Sequence, residues 1–291
     1  MTVTQPTQEW SIGIFRGPSP LELGPPPGTP NPVLGKAQIT DVTAEGVADP
    51  FLVRSANGWS MFVEVMDLTA GRGKIGLATS ADAIHWHYQR IVLEEPFHLS
   101  YPYVFEWEGA HYLVPESTRA KSVRLYVARR FPLQWEFVAT LLEGPRFADA
   151  SLLRWQERWW LFAETNAAAL HTTLRLFHAQ RLTGPWIEHC KSPIVPADGH
   201  IARPAGRVIV WQDHPIRFTQ DCDPIYGTAV RAFAITTLTP DHYTERALAP
   251  DPVLRGSGCG WNSGGMHHVD AHRLPGGDWL AAVDGWRAVQ T

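Results

Sequence analysis

The sequence predicts an all-β fold, a single five-bladed β-propeller, from three observations. Apolar residues alternate with period two in short runs. Prolines and glycines, 24 of each in 291 residues, interrupt nearly every stretch that could otherwise hold a helical period. A unit of about 50 residues recurs, the length expected of a propeller blade. The last unit is cut short by the end of the chain, and its missing half is found at the other terminus.

Each blade can be justified in turn. Blade 1, about 49–96, reads DPFLVRSANGWSMFVEV, KIGLATSADAIHWHY and IVLEEP. Blade 2, about 100–144, reads YPYVFEWEGAHYLVPES, VRLYVARRFPLQWEF and LLEG. Blade 3, about 148–194, reads DASLLRWQERWWLFAET, LRLFHAQRLTGPWIE and SPI. Trp86, Trp135 and Trp186 stand 49 and 51 residues apart, and nine residues before each lies an apolar residue, Leu77, Tyr126 or Phe177. Blade 4, about 202–248, is looser, with Tyr243 where the tryptophan was. Blade 5 starts with HHVDAHRLPGGDWLAAVDGW, about 265–286, and then runs out of chain. EWSIGIFRGPSPLEL (9–23) resembles a third strand and NPVL (31–34) a fourth, so residues 9–35 are expected to complete it. Closing the ring in this way removes its free edges. Trp59, Trp159, Trp160 and Trp279 recur in second strands and are expected to pack between blades.

Composition narrows the function. With 44% hydrophobic and 19% charged residues the chain can fill a large core, and its net charge of −4 is spread along it without a basic stretch. Nucleic acid is therefore not an expected partner. No apolar run approaches a membrane span, and MTVTQPTQEW lacks the features of a secretory signal, so a cytoplasmic location is expected. Cys190, Cys222 and Cys259 lie far apart without a CxxC and read as separate thiols. The glycine-rich GSGCGWNSGG (256–265) follows no strand-to-helix turn, so nucleotide binding and other cofactors are not expected.

The repeat also predicts where a site should form. The first two strands of a blade make an antiparallel hairpin, so the start of one lies beside the end of the other. Residues fifteen apart then pair: Asp49 with Glu64, Tyr101 with Glu116, Asp149 with Glu164. The nearest equivalents are Arg203 with Gln220 in blade 4, and His268 with Asp284 in blade 5. These polar residues should gather at one mouth of the central channel. The repeated glutamate is equally open to an architectural reading, accepting hydrogen bonds from the next blade, for Glu64 and Glu164 especially.

The segments EEPFHLSYPYVFE, YLVPES, ARPAGR, TQDC, YGTAV and GMHHVDA resemble the N-terminal domain of plant glucosamine inositolphosphorylceramide transferases and its stand-alone bacterial relatives. The resemblance covers nearly all of the chain, and nothing here resembles the glycosyltransferase domain that follows in the plant proteins. That domain is similar in fold to the five-bladed glycosidases of families 43, 32 and 68. The likeness implies a base or nucleophile in blade 1, matching Asp49 in ADPFLV, and an orienting aspartate in blade 3, matching Asp149 in ADASLL. It also implies a general-acid glutamate at the start of blade 4, where this chain has ARPAGR instead.

The reading that follows is a carbohydrate-active protein working on a glycosidic bond at the funnel, by hydrolysis or sugar transfer. Asp49 is expected as base or nucleophile, Glu116 as the substitute acid, and Asp149 as a holder of hydroxyls. The alternative is a non-catalytic propeller that binds a glycan or sugar phosphate, or a partner. Arg203 and Arg207 are expected to clamp a phosphate or carboxylate on the carbohydrate or glycoconjugate. His98, Tyr101, Tyr103, Asp221, Trp261, His267, His268 and Asp270 are expected to contact the sugar. His267, His268, Asp270 and His272 carry metal-ligand chemistry, but neighbours two apart on a strand do not converge, so a hydrogen-bonding role is preferred and no metal is assigned. His85, His87, His171, His178 and His214 have no repeated context and default to surface or packing roles.

Overall fold

The computed structural model describes residues 7–289 except 145, 166, 167 and 169; the first six residues, read above for a targeting signal, lie outside it. The fold is a five-bladed β-propeller built from five antiparallel sheets. Blade 1 is Ala44–Ser55, Gly58–Asp67, Arg72–Ser80 and His87–Leu93; blade 2 is Ser100–Trp107, Ala110–Glu116, Ser122–Arg130 and Gln134–Glu143. Blade 3 is Ala148–Trp155, Arg158–Glu164, Leu174–Ala179 and Ile187–Glu188. In blade 4 the inner strand is split into Arg203–Pro204 and Ile209–Trp211, both paired with His214–Asp221, followed by Ala229–Leu238 and Tyr243–Ala247. Among the described residues no helix is long and apolar enough to cross a membrane.

Blade 5 closes the ring as expected. Val269–Arg273 and Trp279–Val289 are its inner strands, and Thr7–Ser19 lies antiparallel to the second in continuous register from Thr7 opposite Val289 to Gly17 opposite Trp279. The fourth position is shared: Glu22–Gly24 pairs with one end of the N-terminal strand, and Leu34 bridges to Ile12 near its middle.

Four apolar clusters fill the spaces between blades. Phe51 and Leu77 of blade 1, Leu113 and Tyr126 of blade 2, and Trp159 and Phe177 of blade 3 share one of them, so the residues nine before each repeated tryptophan are core residues. Trp59 packs between blades 5 and 1, Trp160 between 3 and 4, and Trp279 between 4 and 5. Burying rings of this size at every seam holds the blades at fixed angles, so the inner-strand ends converge reproducibly.

One detail of register differs from the sequence expectation. The residues opposite Glu64, Glu116 and Glu164 are Ala48, Ser100 and Ala148, one before those expected. Asp49, Tyr101 and Asp149 instead sit in bulges with φ of 53°, 45° and 51°. A left-handed backbone at a non-glycine residue costs of order 1–3 kcal/mol. It turns these three side chains out of the ladder and toward the axis, the use that bulges near sites commonly serve.

Candidate active site

The bulges bring Asp49 and Asp149 to one end of the channel. The Asp49 backbone N–H donates to Asp284 Oδ2 (3.0 Å), and the Tyr101 N–H donates to Asp49 Oδ2 (3.1 Å). Its Oδ1 lies 3.6 Å from His268 Nδ1 and 3.8 Å from His267 Nε2. Burial, first, and the nearby Asp149 and Asp284 carboxylates push the Asp49 pKa up to about 8, against the opposing pull of His267 and Arg203. At neutral pH this carboxyl therefore holds its proton, which suits an acid and not the base or nucleophile expected from sequence. The guanidinium that opposes the rise is directed mainly at a neighbouring carboxylate.

Arg203 is that guanidinium. Its Nε and Nη2 donate to the two oxygens of Asp149 (2.6 and 3.3 Å), and Nη2 also reaches Glu116 Oε2 at 3.5 Å. Nη1 meets His171 Nδ1 at 2.8 Å, and the group lies over the Tyr226 ring at 5.2 Å. Gln220 Nε2 adds a further donor to Asp149 Oδ2 (2.6 Å). Asp149 thus accepts three donors from within the protein, and Arg203 is spent there, not free to clamp a ligand. Burial raises Asp149 to about 6 despite Arg203, with Glu116 adding to the rise.

Glu116 accepts from Thr118 Oγ1 (3.0 Å) and from the Asp149 N–H (3.3 Å). Three donors, Thr118, the Asp149 N–H and Arg203, thus meet its carboxylate, with the Asp149 carboxyl beside it, whereas the sequence expectation was an acid. Glu64, read from sequence as open to an architectural role, stands beside it. Burial and then the charges of Asp49, Glu116 and Asp149 raise its pKa well above the usual range. His98 accepts the Gly73 N–H at Nδ1 (2.9 Å), which fixes its proton on Nε2, 3.3 Å from Glu64 Oε1. Glu116 and His98 line a cavity of about 640 Å³ that opens beside this mouth. The third repeated glutamate, Glu164, is fully buried against Arg146 (3.3 Å).

His267 and His268 divide their tasks. His267 Nδ1 contacts Asp284 Oδ1 at 2.8 Å and its ring stacks on Trp10 at 4.1 Å; the Asp284 and Asp49 charges raise its pKa against the cost of burial. His268 is fully buried, neither ring nitrogen has a hydrogen-bond partner, and burial lowers its pKa to about 4. Asp49, His267 and Asp284 each offer a ligand atom within 4.8 Å of the others. This set has the chemistry of a cation site, and it is not the His267, His268, Asp270 and His272 set considered from sequence, which points different ways.

Five expected contact residues are placed elsewhere. Arg207 donates to Asp270 Oδ1 (2.8 Å) and to the Val104 carbonyl (2.9 Å), deeper in the channel, so it is not available as a clamp. Asp270 also accepts from the Leu52 N–H (2.6 Å) and meets His272 Nε2 (2.8 Å). Tyr103 is buried with its hydroxyl donating to the Leu152 carbonyl. Asp221 is tied to His200 (2.7 Å) and Arg231 (2.9 Å). Trp261 packs against Gly13 and Gly285 of blade 5, where a methyl group would stand 2.6 and 3.0 Å from its ring. Tyr101 is fully buried too: its hydroxyl meets Ser151 Oγ at 2.7 Å, donates to the Gly206 carbonyl (2.9 Å) and accepts the Gly206 N–H (2.6 Å), so its contribution to the mouth is its backbone N–H. Gly206 has φ 126°, and a Cβ there would lie 1.9 Å from the Val269 carbonyl, so this crossing demands glycine.

Asp284 and Gln220, placed at this mouth by strand pairing but given no role, complete it together with His171, Tyr226 and Trp10, which sequence reasoning did not place there. His171 and Tyr226 come from connections outside the repeat and carried no signal.

Residues 4–286 match the family described as glucosamine inositolphosphorylceramide transferase 1, N-terminal. The chain is 35% identical over 299 residues to glucosamine inositolphosphorylceramide transferase 1 of Oryza sativa subsp. japonica, covering 96% of this chain and 40% of the rice protein. It thus spans about two fifths of the length of the curated relatives it matches. In fold it is similar to a provisionally assigned glycoside hydrolase from Parabacteroides distasonis, with TM-score 0.64 and 11% identity over 89% of this chain and 95% of the other. It is also similar to an α-L-arabinanase of Cellvibrio cellulosa, with TM-score 0.58 and 16% identity over 83% and 90%.

Proposed function

The chain belongs to the family of N-terminal domains of glucosamine inositolphosphorylceramide transferase 1, and from that premise we propose that it binds the carbohydrate of a glycoconjugate at the propeller mouth and acts there on a glycosidic bond. The observation that carries this is a pair of carboxyls in unlike settings at one mouth. Asp49 is held in its protonated form at neutral pH by burial and like charge, while Glu116 is surrounded by donors and borders the cavity. Cleavage of a glycosidic bond needs one group to give a proton to the leaving oxygen and another to act as base or nucleophile. In this reading Asp49 is the acid and Glu116 the base, the reverse of the order suggested by the blade-1 resemblance. Asp149 and Arg203 position Glu116, and His98 hydrogen-bonds the sugar through Nε2. The three thiols are unpaired, which accords with a cytoplasmic setting as part of the same proposal.

A screen of the purified chain against aryl glycosides and natural oligosaccharides, run beside Asp49→Asn, tests the reading. The expected result is sugar release by the wild type and a loss of at least about 100-fold in kcat for the variant, with ligand affinity kept within about tenfold. If calorimetry detects no saccharide binding to either protein, the proposal is wrong. Binding without turnover in both would move the function to glycan recognition.

A further inference from the structure

Another cavity, of about 400 Å³, lies between blades 2 and 3 at the end opposite the mouth. The inner strand of blade 2 runs from Ser100, opposite Glu116, to Trp107 at the far hairpin turn, about 23 Å of strand. The cavity therefore stands apart from the carboxyls of the mouth and does not depend on what binds there. In its wall Arg154 occupies the corner between Trp107 and Trp159, whose rings meet edge to face at 5.1 Å. The guanidinium carbon is 5.5 Å from one ring centre and 6.0 Å from the other. Its Nη1 is buried without a partner, and among the described residues no hydrogen bond or ion pair engages its other nitrogens. Arg181, exposed on the same wall, gives its Nε to the Gly184 carbonyl (3.3 Å). Glu108, on the rim, forms a salt bridge with neither arginine. Blade 1 holds the same pair at the same place in the repeat and shows what the cavity adds. Arg54 lies over Trp59 at 5.7 Å, but it is exposed and stands over that one ring alone. An arginine over a tryptophan is thus part of the blade, whereas pinning it between two blades with its donors unspent is particular to blade 3.

We infer that this cavity is a docking site for a short extended segment of a partner protein, one that presents an acidic side chain beside an apolar one. A guanidinium held in a corner of indoles is partly stripped of water and cannot swing away. A carboxylate that reaches its open edge gains charge-assisted hydrogen bonds without ordering a long side chain. Arg181 adds a second positive charge on the same wall. The aromatic rings do not offer the flat platform that a sugar stacks on: Trp159 is buried, Arg154 stands over Trp107, and Tyr112 is stacked on Phe105 at 5.7 Å. Two cations beside Glu108 make too small a basic field for a nucleic acid or an anionic membrane. The volume admits a few side chains and not a folded surface, and the exposed Val138 supplies the apolar contact. Val138 belongs to Gln134–Glu143, the edge strand of its sheet, alongside which an extended chain can lie.

The full chain is titrated against rhodamine-labelled, end-blocked peptides that place one glutamate beside leucine, phenylalanine or tryptophan, and against the same peptides carrying glutamine, with anisotropy as the readout. At least one glutamate peptide should bind with a Kd below about 1 mM, and its glutamine form at least about tenfold more weakly. Arg154→Ala should weaken the glutamate peptide at least about tenfold, the scale of one charge-assisted hydrogen bond. Arg154 is partly buried, so Arg181→Ala, at an exposed position, is measured beside it. That variant should keep the wild-type melting temperature and weaken binding about threefold, the scale of one exposed ion pair. Arg54→Ala should bind as the wild type does, and raising ionic strength from about 0.05 to 0.3 M should weaken binding several-fold. Equal affinity for the glutamate and glutamine peptides, affinity unchanged in both Arg154→Ala and Arg181→Ala, or no binding of any peptide at about 5 mM would overturn the site. Release of the bound peptide by an uncharged oligosaccharide would make the cavity a sugar site. A concentration-dependent dimer that Arg181→Ala disperses would seat a second copy of the chain there. Either result rules out the acidic segment.

Discussion

Arg203 with Asp149 at the mouth, and Arg207 with Asp270 deeper in the channel, are the same chemical pair in two settings. Both join different blades, both use the guanidinium fork, and both carboxylates are buried, with Arg203 buried and Arg207 partly so. Leu52 and Val104, whose carbonyls receive Arg207, follow Asp49 and Tyr101 by three residues, about 10 Å further along an ideal strand. At that depth Asp270 meets only donors: Arg207, the Leu52 N–H and His272. The Arg207 and His272 charges carry its pKa well below the usual carboxylate range against the cost of burial. At the mouth, Asp149 shares its arginine with Glu116 and lies near Asp49, and burial raises its pKa to about 6. The deeper pair is balanced and reads as architecture. The upper one has more acid than base, and the surplus leaves a buried carboxyl protonated at the mouth.

Removing the arginines one at a time is the strongest way to break this comparison. Arg207→Met leaves the ionised Asp270 buried without its counter-charge and orphans two carbonyls, so a loss of about 3–5 kcal/mol in urea unfolding at pH 7 is expected. Arg203→Met should cost less, under about 2 kcal/mol, because Asp149 already tends toward its neutral form and can take up a proton. It should instead abolish saccharide binding. Equal losses would show that the two pairs are alike after all.

The next effect is in the pH dependence. Asp49 in the folded chain keeps its proton up to about 8, while in the unfolded chain it ionises near its ordinary value of about 3.9. Between these limits the folded state binds the extra proton, so its contribution to stability is fully present below the lower value and is lost as pH rises toward 8, with a slope of up to about 1.4 kcal/mol per unit. Asp149 acts in the same sense up to about 6, whereas His268 and His171, both held down to about 4 by burial, act in the opposite sense below their unfolded values. The difference between the wild type and Asp49→Asn isolates the one group. The variant should gain on the wild type as pH rises from 5 to 8 in urea midpoints, and a constant difference across that range would refute the raised pKa.

The same comparison shows what could be read in advance. The regular tryptophans and the half-blade at each terminus made the propeller and its closure legible, because blade packing repeats one arrangement of large rings. The convergence of Asp49, Glu116, Asp149, Arg203 and His268 followed from strand alternation and hairpin pairing alone. The bulges left no mark in the sequence, since Asp49, Tyr101 and Asp149 are unlike residues in a common strained conformation. The difference between Arg203 and Arg207 was hidden as well: four residues apart in ARPAGR, they were treated as one clamp, although strand rise separates them in depth. Protonation was the least legible, because the state of Asp49 depends first on its burial and then on the charges of His267, Asp149, Asp284 and Arg203 around it, which come from three other blades.

The smallest expected effect belongs to His268, which lies between the two pairs. Its ring meets Phe51 and Tyr101 edge to face, at 4.7 and 5.3 Å, and both nitrogens are left without a partner; Nδ1 is 3.6 Å from Asp49 Oδ1, beyond hydrogen-bond reach. A buried polar group in this state costs about 1–3 kcal/mol, so an apolar side chain of similar volume should be tolerated or preferred. His268→Leu is therefore expected to leave the urea midpoint unchanged or raise stability by up to about 1 kcal/mol, while Asp49→Asn in the same background still shows its pH-dependent gain. A loss of more than about 2 kcal/mol would mean that the imidazole is satisfied by something held between it and Asp49. The mouth and the deeper pair would then form one connected polar network, and the separation between a balanced floor and a strained mouth would fail.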